Sequence, residues 1–221
     1  MTAPHALSTP RAAAIAGVLF ALLFGTVLVL IRIALPEGAE PGSQWLVAGD
    51  KNLKIAAAIM PFAGITFLWF IGVVRDGFGG FEDKFFSTVF LGSGLLFLAM
   101  MFVAVGVGAG LEAISTHPVD PAHGEVATFG QMVLLAVSKT YALRMGAVFM
   151  ISLATIWLKT GLMPRWLVVV TYLVALGLIL ASDITMWLTL AFPVWVLVVS
   201  VLLLVRARVI DTERDGRGQT A

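Results

Sequence analysis

Residues 86–111 read FSTVFLGSGLLFLAMMFVAVGVGAGL, an unbroken stretch without one charged side chain. As an α-helix these 26 residues run about 39 Å at 1.5 Å per residue. The hydrocarbon core of a bilayer is about 30 Å thick. Lys84 precedes the stretch and Glu112 follows it, so charge marks both of its ends. Working outward, five more stretches have the length and apolarity to cross a membrane: 12–34, 53–74, 131–158, 166–182 and 186–206. The expected fold is all-α: one domain over 1–221, an integral membrane bundle of six transmembrane helices, with a short polar tail from about 207. Strand-period alternation, the mark of a membrane barrel, is missing. The first stretch is too long for a signal-peptide core and is followed by no small-residue cleavage pattern, so it reads as a retained helix.

Composition agrees. Apolar residues make up 60% of the 221 and charged residues 12%, against about 45–50% and about 25% in soluble domains. Mean hydropathy is +1.01. A formal net charge of +1 gives no basic face for nucleic acid. The absence of cysteine removes disulfides, thiolate nucleophiles and cysteine-ligated metal centres. Nine Arg against five Lys, with abundant Ala, Val, Leu and Gly, suits a GC-rich bacterial genome. The expected location is the bacterial cytoplasmic membrane.

Lys and Arg gather in cytoplasmic connections. With the N-terminus inside, the inner segments carry nine: Arg11, Arg75, Lys84, Lys159, Arg165, Arg206, Arg208, Arg214 and Arg217. The outer segments carry Lys51 and Lys54. Both termini are therefore expected to be cytoplasmic. Trp69, Trp157 and Trp166 then fall near inner ends and Trp187 near an outer end, as indoles prefer. Trp195 falls mid-span and is expected to pack between helices.

The segment Thr160-Gly161-Leu162-Met163-Pro164-Arg165-Trp166-Leu167 reads as an inner elbow. Gly161 can end a helix in the left-handed region, and Pro164 suits the first turn of the next. This elbow, with the six-span layout, resembles families of uncharacterised bacterial multi-pass membrane proteins. The likeness covers about eight residues, and those families bring no established activity. The outer turn Ser182-Asp183-Ile184-Thr185 predicts that the last two spans form a tight antiparallel hairpin. Residues 75–84 read as an interfacial elbow or a docking loop.

Small residues at four-residue spacing let helices approach in lipid. Ala13, Gly17, Ala21 and Gly25 form such a stripe, expected to face another helix. Gly106 with Gly110 and Ala142 with Gly146 repeat the spacing. Pro61 and Pro193 are expected to kink their helices, which can also open a cavity.

Chemistry concentrates in the ionisable groups within or beside spans, where charge is costly. Arg32 sits near the outer end of the first span. Lys139 and Arg144 lie in the long fourth stretch, which as one helix over 126–160 would run about 50 Å. It either projects past the membrane or begins with an interfacial segment near 126–138. In α geometry these two cations, five residues apart, point about 140° from each other. Glu112 and Asp183 are the candidate acceptors at the outer side, and Tyr141 and Thr140 add hydroxyls. The candidate ligand-binding set is Arg32, Glu112, Lys139, Tyr141, Arg144 and Asp183. Read structurally these are ion pairs and anchors; read functionally they line a pocket for an anionic head group or carboxylate, or a proton or ion path. His117 and His123 lie in the outer connection with Asp120 and Glu125, at a spacing that matches no familiar metal motif. No P-loop, H-E-x-x-H helix or G-x-S-x-G elbow occurs. The reading calls for no catalytic residue, metal or cofactor.

The leading expectation is a non-enzymatic membrane protein that binds a lipid, a small solute or a membrane-protein partner through an outer-leaflet polar cluster. A secondary transporter for a small anionic or amphipathic solute is the alternative. A lipid head-group enzyme using Glu112 or Asp183 as acid/base is the third.

Overall fold

The computed structural model describes residues 9–35, 45–76, 84–115, 121–181 and 186–218, with side chains described over 12, 14–35, 51–76, 84–113, 124–181 and 187–205. These residues are almost wholly helical. In chain order they form α1 (Thr9–Ala34), α2 (Trp45–Asp76), α3 (Lys84–Ser115), α4 (Pro121–Leu135), a π-helical segment (Ala136–Ala142), α5 (Leu143–Thr160), α6 (Arg165–Ala181), a 3-10 turn (Met186–Leu190) and α7 (Ala191–Gly218). Five segments are long and apolar enough to cross a membrane, the fourth of them continuous over Gly124–Thr160. α6, at 17 residues, is shorter but equally apolar. The chain is a multi-pass helical membrane protein.

The helices pack as α1 on α2 and α7, α2 on α3, α3 along the whole of α4–α5, and α5 on α6. What joins them is aromatic. Phe20 and Phe24 of α1, Phe67 and Phe70 of α2, Phe90 and Phe97 of α3, Phe149 of α5 and Phe192 of α7 are all fully buried. Phe67 is the hub, with ring centroids 4.5 Å from Phe20, 5.5 Å from Phe97, 5.4 Å from Phe149 and 6.1 Å from Phe192. Tilted and edge-on geometries dominate around it, as ring quadrupoles favour. Lipid tails are as apolar as phenylalanine, so burial alone gives little drive here. Close packing of rings supplies the cohesion instead.

Polar side chains inside the bundle are satisfied locally. The hydroxyls of Thr66, Ser93, Ser138, Ser152, Thr155 and Ser200 donate to carbonyls one turn back, which removes the cost of an unpaired group in a dry interior. Thr155 also bonds the Tyr172 hydroxyl at 2.7 Å, tying α5 to α6. Trp195 Nε1 donates to Thr171 Oγ1 at 2.9 Å and is buried, so it packs between helices as expected.

The elbow forms as its residues predict. Gly161 has φ +66, and its N–H donates to the Trp157 carbonyl at 2.9 Å. Pro164 sits one residue before α6, and its carbonyl accepts the first bond of that helix, from Leu167 N–H at 3.0 Å. Lys159 Nζ lies 4.6 Å from the centre of the Phe86 ring at this end.

Several expectations are corrected. The last two spans do not make a tight hairpin, because α6 lies mainly on α5 while α7 lies mainly on α1. Trp157 is not an interfacial anchor but is buried, its ring centroid 6.2 Å from that of Trp195. The stripe on α1 is split. A side chain at Gly17 would collide with Ser200 Oγ and the Phe70 ring, and Ala21 is buried, but Gly25 faces open space. On α3 the contact glycine is Gly108, against Leu134 and Leu53, whereas Gly106 and Gly110 have open space. Gly146 does pack, on Phe192 and Phe97. Pro193 falls in the first turn of α7 rather than in mid-helix.

Two levels of charge bracket the bundle. From Lys139 to Lys159 is 20 residues, and from Lys54 to Arg75 is 21. Each is about 30 Å along a helix, the thickness of a hydrocarbon core. α4 continues beyond the Lys139 level, with Gly130 packed on Leu111 of α3. Along α4 the residues Ala127, Gln131 and Leu134 are buried, whereas Val126, Phe129 and Met132 are exposed.

Candidate functional site

Two helical segments among the described residues are not α-helical, and both lie at the same place. The π-helical segment supplies Ser138 and Lys139; the 3-10 turn supplies Trp187, Thr189 and Leu190; the last turns of α1 supply Leu28, Val29, Ile31 and Arg32. Together they enclose a small cavity of about 20 Å³. That is room for roughly one water molecule.

Local chemistry accounts for the 3-10 turn. Proline cannot donate, and its ring crowds the carbonyl four residues back. For Pro193 that carbonyl belongs to Thr189. A regular helix through 189–193 is disfavoured, and the chain enters α7 by a 3-10 turn ending at Leu190, whereas α2 runs on through Pro61. At the π segment, Ser138 Oγ donates to the Leu134 carbonyl at 2.7 Å, giving that oxygen a side-chain donor where the backbone register widens. π turns recur at functional sites because they re-aim side chains that a uniform helix would hold elsewhere.

Among the described residues the lining carries two cations and no carboxylate. Arg32 and Lys139 are each half-buried. The guanidinium carbon of Arg32 lies 4.9 Å above the Trp187 ring. Such stacking uses the flat face of the guanidinium and leaves its in-plane N–H edge directed sideways. Ser138 and Thr189 are buried hydroxyl residues beside the two cations. Below the cavity, Leu28 lies one turn from Phe24, and Leu190 precedes Phe192 by two residues.

Of the six candidate residues named from the sequence, the structure brings Arg32 and Lys139 together. Arg144 is half-buried and lies outside the cavity lining. The expected angle of about 140° between Lys139 and Arg144 assumes α geometry; a π turn closes at i→i+5 and brings residues five apart toward one face. Tyr141 is 57% exposed and does not line the cavity. Glu112 pairs with Lys54 at 3.6 Å. Glu112 lies near the C-terminal end of α3. Asp183 lies outside the described residues, as do His117, Asp120 and the side chain of His123.

The sequence reading missed Trp187 and Thr189 as site residues. Trp187 was visible as an interfacial indole, and Pro193 was the signal for the break that exposes Thr189. A buried acceptor also went unremarked. Gln131 Oε1 has no hydrogen-bond partner among the described residues, although it lies outside the cavity lining.

No protein-family model matches the chain, and neither a curated protein nor a solved structure matches it. The functional reading therefore rests on the geometry.

Proposed function

We propose that this protein is a non-enzymatic integral membrane protein of a bacterial cytoplasmic membrane that holds an anionic group in the cavity between Arg32 and Lys139. It crosses the bilayer six times with both termini inside, so the cavity lies at the outer boundary of the hydrocarbon core. The nine-to-two distribution of Lys and Arg supports this orientation. Labelling a cysteine placed at Ser115 in this cysteine-free chain checks it. Reaction from the outside is expected; reaction only from the cytoplasmic side contradicts it.

The observation that carries the binding reading is the meeting of the π segment and the 3-10 turn at one cavity lined by two cations. Intramembrane charge is costly and marks functional positions. Irregular helix turns line cavities rather than face lipid. Binding is favoured over passage because the cavity is only about 20 Å³ and Leu28, Val29, Ile31 and Leu190 complete its lining. The test is titration of the purified protein in neutral detergent with dodecyl phosphate and dodecanoate, read by tryptophan fluorescence. Saturable binding of an anionic amphiphile is expected, lost in an Arg32→Ala/Lys139→Ala double variant. Identical titrations for wild type and double variant contradict the proposal.

A further inference from the structure

We infer that the π segment is a register switch: residues Ala136–Ala142 can close as α-helix, and α4 then turns by one residue against α3.

Helix geometry sets the size of the step. A π turn closes at i→i+5 where an α turn closes at i→i+4, so it houses one residue more. With α5 in place, annealing the turn moves each residue of α4 into the position now held by the residue before it. That is a rotation of about 100° and a shift of about 1.5 Å along the axis. Nothing in the segment pins its present form. It reads Ala-Val-Ser-Lys-Thr-Tyr-Ala, without proline or glycine. The residues on either side, Leu135 at φ −64 and ψ −46 and Leu143 at φ −64 and ψ −36, are already in α geometry.

The sequence of α4 carries two stripes one residue apart. In the described register Ala127, Gln131 and Leu134 are buried. The stripe one residue on is Thr128, Met132 and Leu135. The described register has a fault: Gln131 is 7% exposed, and its Oε1 has no hydrogen-bond partner among the described residues. An acceptor left unpaired in a dry interior is costly. Met132 meanwhile is exposed. The step puts Met132 into the Gln131 position, and Leu135 into the Leu134 position against Gly108 of α3. It puts Thr128 into the buried Ala127 position. The Thr128 hydroxyl donates to the Gly124 carbonyl at 2.8 Å, within its own helix, so it can be buried without a new partner. The shifted register has a fault of its own. Gln131 takes the place of Gly130, where the first side-chain carbon would lie 2.7 Å from Leu111 Cδ2, so that leucine must turn aside. Each register cures what the other leaves wrong, and the two packings are discrete, as a switch requires. Ser138 and Lys139 lie inside the segment and line the cavity, so the lining changes with the register, whatever the cavity holds.

Thiol crosslinking of the full chain in neutral detergent tests the switch, since the chain has no cysteine of its own. Gly108→Cys with Leu134→Cys reports the described register. Gly108→Cys with Leu135→Cys reports the shifted one, and both pairs leave Gln131 in place. A short bifunctional methanethiosulfonate is expected to link both pairs. Deleting Thr140 removes the extra residue and holds α4 in the described register, so only the 108–134 pair should then link. Gln131→Leu cures the fault of the described register and should lower the yield of the 108–135 product about five-fold or more. Unfolding temperatures establish that the variants fold, and should the Thr140 deletion fail to fold, Gln131→Leu decides. A 108–134 product alone in the otherwise unaltered chain overturns the switch. So does a 108–135 product whose yield is the same with Thr140 deleted or with Gln131→Leu, because reach rather than register then explains it.

Discussion

The centre of this bundle and its cavity end are built from the same helices and behave as opposites. At the centre, α1, α2, α3, α5 and α7 run as regular helices and fill the space between them with phenylalanine. At the cavity end, α1, the helix containing Lys139 and the entry to α7 separate, and two of the three abandon α geometry. One region has hydroxyls satisfied within their own helices and rings in contact. The other gathers two cations where a polar group is hardest to keep. On α1 the buried Phe24 and the cavity residue Arg32 lie about two turns apart, so a substitution there can reach one region and spare the other.

The sharpest way to break this contrast is at its hub. Phe67→Ala removes a ring that contacts five others and should cost about 3–5 kcal/mol. Anion affinity per folded molecule should stay as it was. A fall in detergent unfolding temperature with unchanged binding is the expected pair of results; loss of binding in folded protein would couple the regions.

Next in size is the α1 stripe. Gly17→Leu forces a side chain into Ser200 and Phe70, and overpacking of this kind costs about 1–3 kcal/mol. Gly25→Leu enters open space and should leave the unfolding temperature near wild type. Equal losses for the two would show that spacing alone, not the neighbour met, governs the stripe.

The smallest effect on stability, yet a large one on binding, is expected from Pro193→Ala. It restores the donor that the regular helix lacks and allows α geometry through 189–193. Thermal stability should hold or rise slightly, while affinity for an anionic amphiphile falls as Thr189 and Trp187 rotate away from Lys139. Unchanged affinity would mean that the 3-10 turn has another cause.

How much of this was legible follows from what lipid does to sequence patterns. Span positions came through because a membrane helix declares itself by length and apolarity. The elbow at Gly161 and Pro164 was readable because a left-handed cap and a fixed φ are single-residue signals. Arg32 and Lys139 stood out as charges beside apolar runs. The aromatic hub did not: with lipid outside and protein inside, both faces of a helix are apolar, so Phe20 and Phe67 carry no mark that separates them from exposed Phe62. The π segment was illegible for a different reason. Residues Ala136–Ala142 contain nothing that forbids α geometry. The pairing of Glu112 with Lys54 at 3.6 Å was not legible, because sequence gives no register between neighbouring helices.

The most direct test of the account is the unfolding temperature of three proteins, wild type, Phe67→Ala and Arg32→Ala/Lys139→Ala, each with and without saturating dodecyl phosphate. A ligand that binds only the native state raises stability by an amount set by its concentration over its dissociation constant, about 2.7 kcal/mol at a hundred-fold excess. The account predicts a lower baseline with the ligand shift intact in Phe67→Ala, and a wild-type baseline with no ligand shift in the double variant. A double variant that keeps the shift, or that loses as much baseline stability as Phe67→Ala, would contradict it.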